Sequence, residues 1–106
     1  MSRASPLWIA AALAFGCVAL PHPTAADAER ARATWPGADQ ASLAAGRARF
    51  VEKCAGCHAL PLPRRYPADE WPAWVAAMAD GARLEPAERA LIEQYLVTMA
   101  GRPDAG

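Results

Sequence analysis

The chain has 106 residues, with 11 Lys and Arg against 11 Asp and Glu, so its formal net charge is zero. A balanced charge supplies no basic field for gripping nucleic acid, and 54% hydrophobic with 21% charged residues is the composition of a folding chain rather than a disordered one. One domain is the natural count, and an alanine-rich chain with seven Gly, ten Pro and few Ile, Val or Thr points to an all-α protein of helices joined by turns.

The N-terminal segment has the layout of a secretory signal peptide. Arg3 supplies a basic residue, Leu7 to Leu20 is an apolar run, and Pro21 to Ala28 is rich in small residues and ends in Ala26-Asp27-Ala28. The run is shorter than the roughly 20 residues of a spanning helix and contains Gly16. No polar face interrupts it, which argues against an amphipathic core helix. Residues 1–28 are therefore expected to be removed on export to a periplasm or similar compartment, leaving no stable membrane insertion. Gly16-Cys17 has only a partial likeness to a lipoprotein processing site, because Phe15 is bulky for the position before the small residue. The remaining chain is small enough to bury only about 60% of its unfolded surface, a size at which an internal staple is often needed.

Residues 29–40 read as a polar, proline-containing lead-in, with Asp39 or Ser42 a helix cap. A domain over 41–101 begins with a helix from Ala41 to Lys53, whose Leu43, Phe50 and Val51 share one face. Gly46 lies inside it. Glycine there costs about 1 kcal/mol relative to alanine, so its presence predicts another helix backbone passing close by.

The helix runs into Cys54-Ala55-Gly56-Cys57-His58, the attachment signature of c-type haem. Thiols three apart on one turn point the same way and can each reach one vinyl group of the ring, while His58 meets the iron as proximal ligand. Ala55 and Gly56 are small enough to let the porphyrin lie against the backbone. A thioredoxin-like redox pair would need a βαβ setting, and no strand pattern flanks the motif. A zinc site would lack its fourth ligand, and a plain disulfide would leave the adjacent His58 unexplained. One covalent haem c per chain is the expectation.

Next, Ala59 to Pro67 contains Pro61, Pro63 and Pro67 and reads as extended. Asp69 and Glu70 then open a helix that ends at Gly81, with Trp71, Trp74, Val75 and Met78 at i, i+3, i+4 and i+7 on one apolar face. Pro86 suits a first turn and Glu88 favours it, so a final helix carries Leu91, Ile92, Tyr95, Leu96 and Met99 to a stop near Ala100-Gly101. Residues 102–106 form a C-terminal tail.

Gly46, Phe50, Cys54, Cys57 and His58, followed by a last helix carrying Tyr95-Leu96, resemble class I cytochrome c over about residues 41–100. The resemblance implies a compact fold of three to four helices around one haem, with Gly46 and Phe50 meeting Tyr95 where the first and last helices cross. It implies that a backbone carbonyl, Pro61 or Pro63, accepts a hydrogen bond from His58. It also implies His/Met ligation, with the Trp-led face toward the haem and Met78 as sixth ligand. The bland reading of Met78 is core filling, and Met99 is the alternative ligand.

Outside these residues there is no Ser/His/Asp group, catalytic carboxylate pair, phosphate loop or repeat, and the chain does not read as an enzyme. Arg47, Arg49, Lys53, Arg64 and Arg65 lie near the motif in sequence. They read either as ordinary surface charge or as a basic rim for an acidic redox partner, with Arg64 or Arg65 pairing haem propionates as a further option. The expected function is a periplasmic electron carrier, a monomer or a subunit of an oxidoreductase system, with a redox protein as donor and another as acceptor. The alternative is a five-coordinate haem protein for small-gas sensing or weak peroxidase chemistry.

Overall fold

The computed structural model describes residues 20–54 and 60–103, and among these the only regular structure is helical. The chain forms α1 (Ala25–Ala31), α2 (Gln40–Cys54), α3 (Trp71–Ala82) and α4 (Pro86–Ala100), with 3₁₀ turns at Pro63–Arg65 and Ala68–Glu70 before α3. The all-α expectation holds. No helix among the described residues is long and apolar enough to cross a membrane.

α1 is a short helix within the stretch that the sequence assigns partly to a leader and partly to a lead-in. Seven residues cannot hold a helix alone in water, so its ends and its packing must do so. Thr24 caps it: the Asp27 backbone N–H donates to Thr24 Oγ1 at 3.3 Å, and Asp27 Oδ2 accepts from the Thr24 backbone N–H at 2.8 Å. Ala28 and Ala31 are buried with Ala38 and Leu43, and Trp35 packs half-buried against them. The lead-in is thus a folded layer over the start of α2. The expected leader boundary after Ala28 falls inside α1.

Asp39 and Ser42, each read as a cap for the first helix, share the work. Asp39 Oδ1 accepts from the Ser42 backbone N–H at 2.7 Å, and Ser42 Oγ accepts from the Asp39 backbone N–H at 3.0 Å. α2 then buries Leu43, Gly46, Phe50 and Cys54 on one stripe. Val51, expected on that face with Phe50, is exposed, because one step along a helix rotates a side chain by about 100°.

α4 is the central element, packing against α2 most extensively and also against α3, α1 and both 3₁₀ turns. It begins with Pro86, whose missing N–H costs nothing at a first helical position, and with a Glu85–Glu88 capping box. The crossing with α2 is at Gly46: a Cβ there would collide with the Leu91 carbonyl and lie 2.9 Å from Tyr95 Cβ. The close approach expected from a mid-helix glycine is present.

α3 runs through Gly81 to Ala82, one residue beyond the glycine expected to end it, and terminates at Arg83 in the left-handed conformation, φ 55°. The Arg83 N–H donates to the Asp80 carbonyl at 3.2 Å and the Leu84 N–H to the Ala79 carbonyl at 3.0 Å, the two bonds of a Schellman motif. The stop falls here because Leu84, the residue after the reversal, packs against the main core.

Candidate functional site: the apolar cluster at the end of α2

Cys54 is the last residue of α2 and is buried in the main core with Phe50, Trp71, Val75, Ile92, Tyr95, Leu96, Met99 and Leu20. Cys57 and His58, expected to continue the motif, lie outside the described residues, as does Cys17. The chain is described again from Leu60, which packs half-buried against the same cluster together with Tyr66, Met78 and Leu84.

The proline-rich segment is extended at Leu62 and tightens into a 3₁₀ turn at Pro63. Its carbonyl chemistry is partly committed. The indole Nε1–H of Trp71 donates to the Pro63 carbonyl at 2.7 Å in a buried hydrogen bond, so of the two acceptors expected for His58, Pro63 already serves a tryptophan. Pro72 is accommodated after Trp71 because it falls in the first turn of α3, where an absent N–H leaves no intrahelical bond unmade.

The face of α3 is not uniformly inward. Trp71 and Val75 are fully buried, Met78 is half-buried against the core, and Trp74 is 39% exposed. Trp74, expected on the same apolar face, stacks on Tyr66 at 4.4 Å between ring centroids, 21° from parallel. Tyr66 in turn meets Trp71 edge-on at 5.1 Å, and Trp71 meets Phe50 edge-on at 6.4 Å. An unbroken series of ring contacts thus runs from the α2–α4 core to the surface.

The two surviving candidates for a sixth ligand differ in setting. Met99 lies on α4, 2% exposed among core side chains, whereas Met78 lies at the edge of the cluster on α3. Of the expected donors the described residues hold two, Cys54 buried at a helix end and Met78 half-covered, and with Leu60, Tyr66 and Leu84 packed half-buried against the same cluster the setting is apolar enough to suit a flat ring. Val51, Leu62 and Trp74 add exposed large apolar surface on α2, the proline segment and α3. Among the described residues no three His, Cys, Asp or Glu gather as a metal site.

The basic residues near the motif each meet a partner within the fold. Arg49 pairs with Glu52 at 2.8 Å and approaches Glu88 at 3.8 Å, and Lys53 lies 3.6 Å from Glu88. The Glu85 backbone N–H lowers the Glu88 pKa against the opposing effect of burial, and Lys53 and Arg49 lower it further. Arg47 turns inward to donate to the Leu20 carbonyl at 3.2 Å. Arg64 donates to the Arg102 carbonyl, and the Arg65 guanidinium sits 5.8 Å from the centre of the Tyr66 ring.

A second polar centre, missed in the sequence reading, lies at the other end of α4. Asp27 is 2% exposed, and its carboxylate accepts from Arg102 Nε at 3.2 Å, Arg102 Nη2 at 2.6 Å, Thr24 Oγ1 at 2.9 Å, and Arg30. Burial pushes its pKa up, but Arg102, Thr24 and Arg30 together outweigh burial and hold the carboxyl well below the usual range. The available signal was Thr24-x-x-Asp27, a capping-box spacing, inside a stretch already assigned to export.

No protein-family model, curated protein or solved structure matches this chain.

Proposed function

We propose that the chain is a periplasmic electron-transfer protein, of class I cytochrome c type, that carries single electrons on one covalently bound c-type haem. The observation that carries this reading is the buried placement of Cys54 at the end of α2, from which the sequence continues directly into Cys57-His58, beside a cluster whose edge holds Met78. Support comes also from the crossing of α2 and α4 at Gly46 and Tyr95, the contact that the resemblance implies.

In this reading Cys54 and Cys57 hold the group by thioethers, His58 is its proximal iron ligand and Met78 its distal one. The bound haem supplies a one-electron Fe(III)/Fe(II) couple, which His/Met ligation moves to higher potential. The chain's own contribution is apolar walls and fixed side chains. Phe50, Trp71, Val75 and Leu96 exclude water from the cluster, and the Trp71–Pro63 hydrogen bond fixes the proline segment over it. Cys54 is placed by α2 rather than by a loop, so its sulfur is held as firmly as the helix crossing.

Mass spectrometry of the exported protein should show one added haem. The oxidised form should show the long-wavelength methionine-to-iron charge-transfer band, abolished by Met78→Ala and kept by Met99→Ala. Loss of the band in Met99→Ala alone would move the ligand to α4, and a protein without added mass would end the proposal.

One observation favours the second reading. Met78 already packs against the core through protein contacts, and if that is its whole role the iron is five-coordinate and open to a small gas or to peroxide. A high-spin spectrum, unchanged in Met78→Ala and shifted by carbon monoxide, would establish that form.

A further inference from the structure

The strap before α1 is bound into the fold at every residue. The Leu20 carbonyl accepts from Arg47 at 3.2 Å, Pro21 from Tyr95 Oη at 2.7 Å, His22 from Arg102 at 3.1 Å and Pro23 from Gln40 at 3.1 Å. Four successive carbonyls thus each hold a side-chain donor from α2, α4 or the segment after α4. The Leu20 side chain is in the main core, Ala28 is buried, and Asp27 is the carboxylate around which Arg30 and Arg102 are arranged.

A cut after Ala28 would remove all of these acceptors at once. Tyr95, whose phenol burial pushes up to about 12, would lose its hydrogen-bond partner, and Arg102 would lose both a carboxylate and a carbonyl. Processing within Leu20–Ala28 therefore strips acceptors and buried side chains from the native packing, whereas a cut ahead of Leu20 keeps all of these contacts. The sequence supplies such a place: Cys17-Val18-Ala19, in the last residues of the apolar run and after Gly16, puts small residues one and three positions before the Ala19–Leu20 bond.

We propose that export processing cuts at or ahead of the Ala19–Leu20 bond, so that the working protein keeps Leu20–Ala28 as a structural strap joining α2 to the end of α4. This rests on the export reading above. Retention also leaves His22 in the mature chain, but its exposed side chain has no place in the Cys54 cluster.

The test is the N-terminus of the full-length gene product recovered as holoprotein from the periplasm of a haem-attaching host. Intact mass and terminal sequencing should give a start at or before Leu20. A start anywhere from Pro21 to Glu29 would overturn the proposal while leaving export standing. A chain retained in the cytoplasm from Met1 would remove the export reading and the proposal with it.

Two further arms read the same point independently. Ala26→Leu changes an exposed residue and blocks recognition of a site after Ala28, so processing should be unchanged, and loss of processing would count against the proposal. Holoprotein exported under an unrelated cleavable leader should melt at least about 10 °C higher when it starts at Leu20 than at Glu29, the scale expected for losing several buried contacts in a domain of this size. Equal melting temperatures would overturn the strap.

Discussion

Gly46 and Trp71 are the two positions at which a single side chain decides how the Cys54 cluster is built. At Gly46 the obstacle to a side chain is the Leu91 carbonyl, which is backbone in the middle of α4 and has nowhere to move. Gly46→Ala should therefore destabilise the protein by about 3 kcal/mol, the upper end for overpacking, despite alanine's better helix propensity. Chemical denaturation of the parent protein and the variant checks the sign. Trp71→Phe keeps an aromatic ring against Phe50 and Tyr66 but leaves the buried Pro63 carbonyl without its donor. A loss of about 1–3 kcal/mol is expected by the same measurement. A loss confined to a few tenths would mean that water replaces the indole.

The helices differ in what stops and starts them, and α3 is the one whose end works against its own residue preference. Arg83 takes a left-handed backbone that disfavours a Cβ, so that Leu84 can turn back onto the core. Arg83→Gly should raise stability by about 1 kcal/mol, since the strain goes and the Schellman bonds stay. A melting temperature that fell would show that the Arg83 side chain makes a contact worth more than the backbone strain. Gly81, the predicted stop, lies within the last turn of the helix, which ends at Ala82. At α2 the two cap candidates Asp39 and Ser42 proved to be the two halves of one reciprocal cap. The pairs Arg49–Glu52 and Lys53–Glu88 lie at least partly in solvent and contribute little to holding α2 against α4.

Across the molecule, the Asp27 carboxylate ties the segment before α1 to the residues after α4 and makes stability depend on pH. Its pKa is lower in the folded protein than in the unfolded chain, so its contribution is full at neutral pH and is lost as pH falls below about 4, where the unfolded chain takes up the proton first. Asp27→Asn should lower the melting temperature at pH 7 and flatten its fall between about pH 4 and pH 3. Equal acid slopes for the two proteins would place the linkage elsewhere. The salt dependence of this clamp should be weak, because the carboxylate is buried between its two arginines.

The identity of the three longer helices and the glycine at the crossing were legible along the chain because each depends on local chemistry: apolar residues at helical spacing and a residue without a Cβ. The partner of Trp74 was not legible, since sharing a helical stripe places a residue only within a wide arc, and the ring that stacks on it, Tyr66, comes from another segment. Leu20–Ala28 read as leader for a similar reason. A run of small and apolar residues looks the same whether it is discarded or packed, and only the tertiary structure brings Arg47, Tyr95, Gln40 and Arg102, distant in sequence, to its carbonyls.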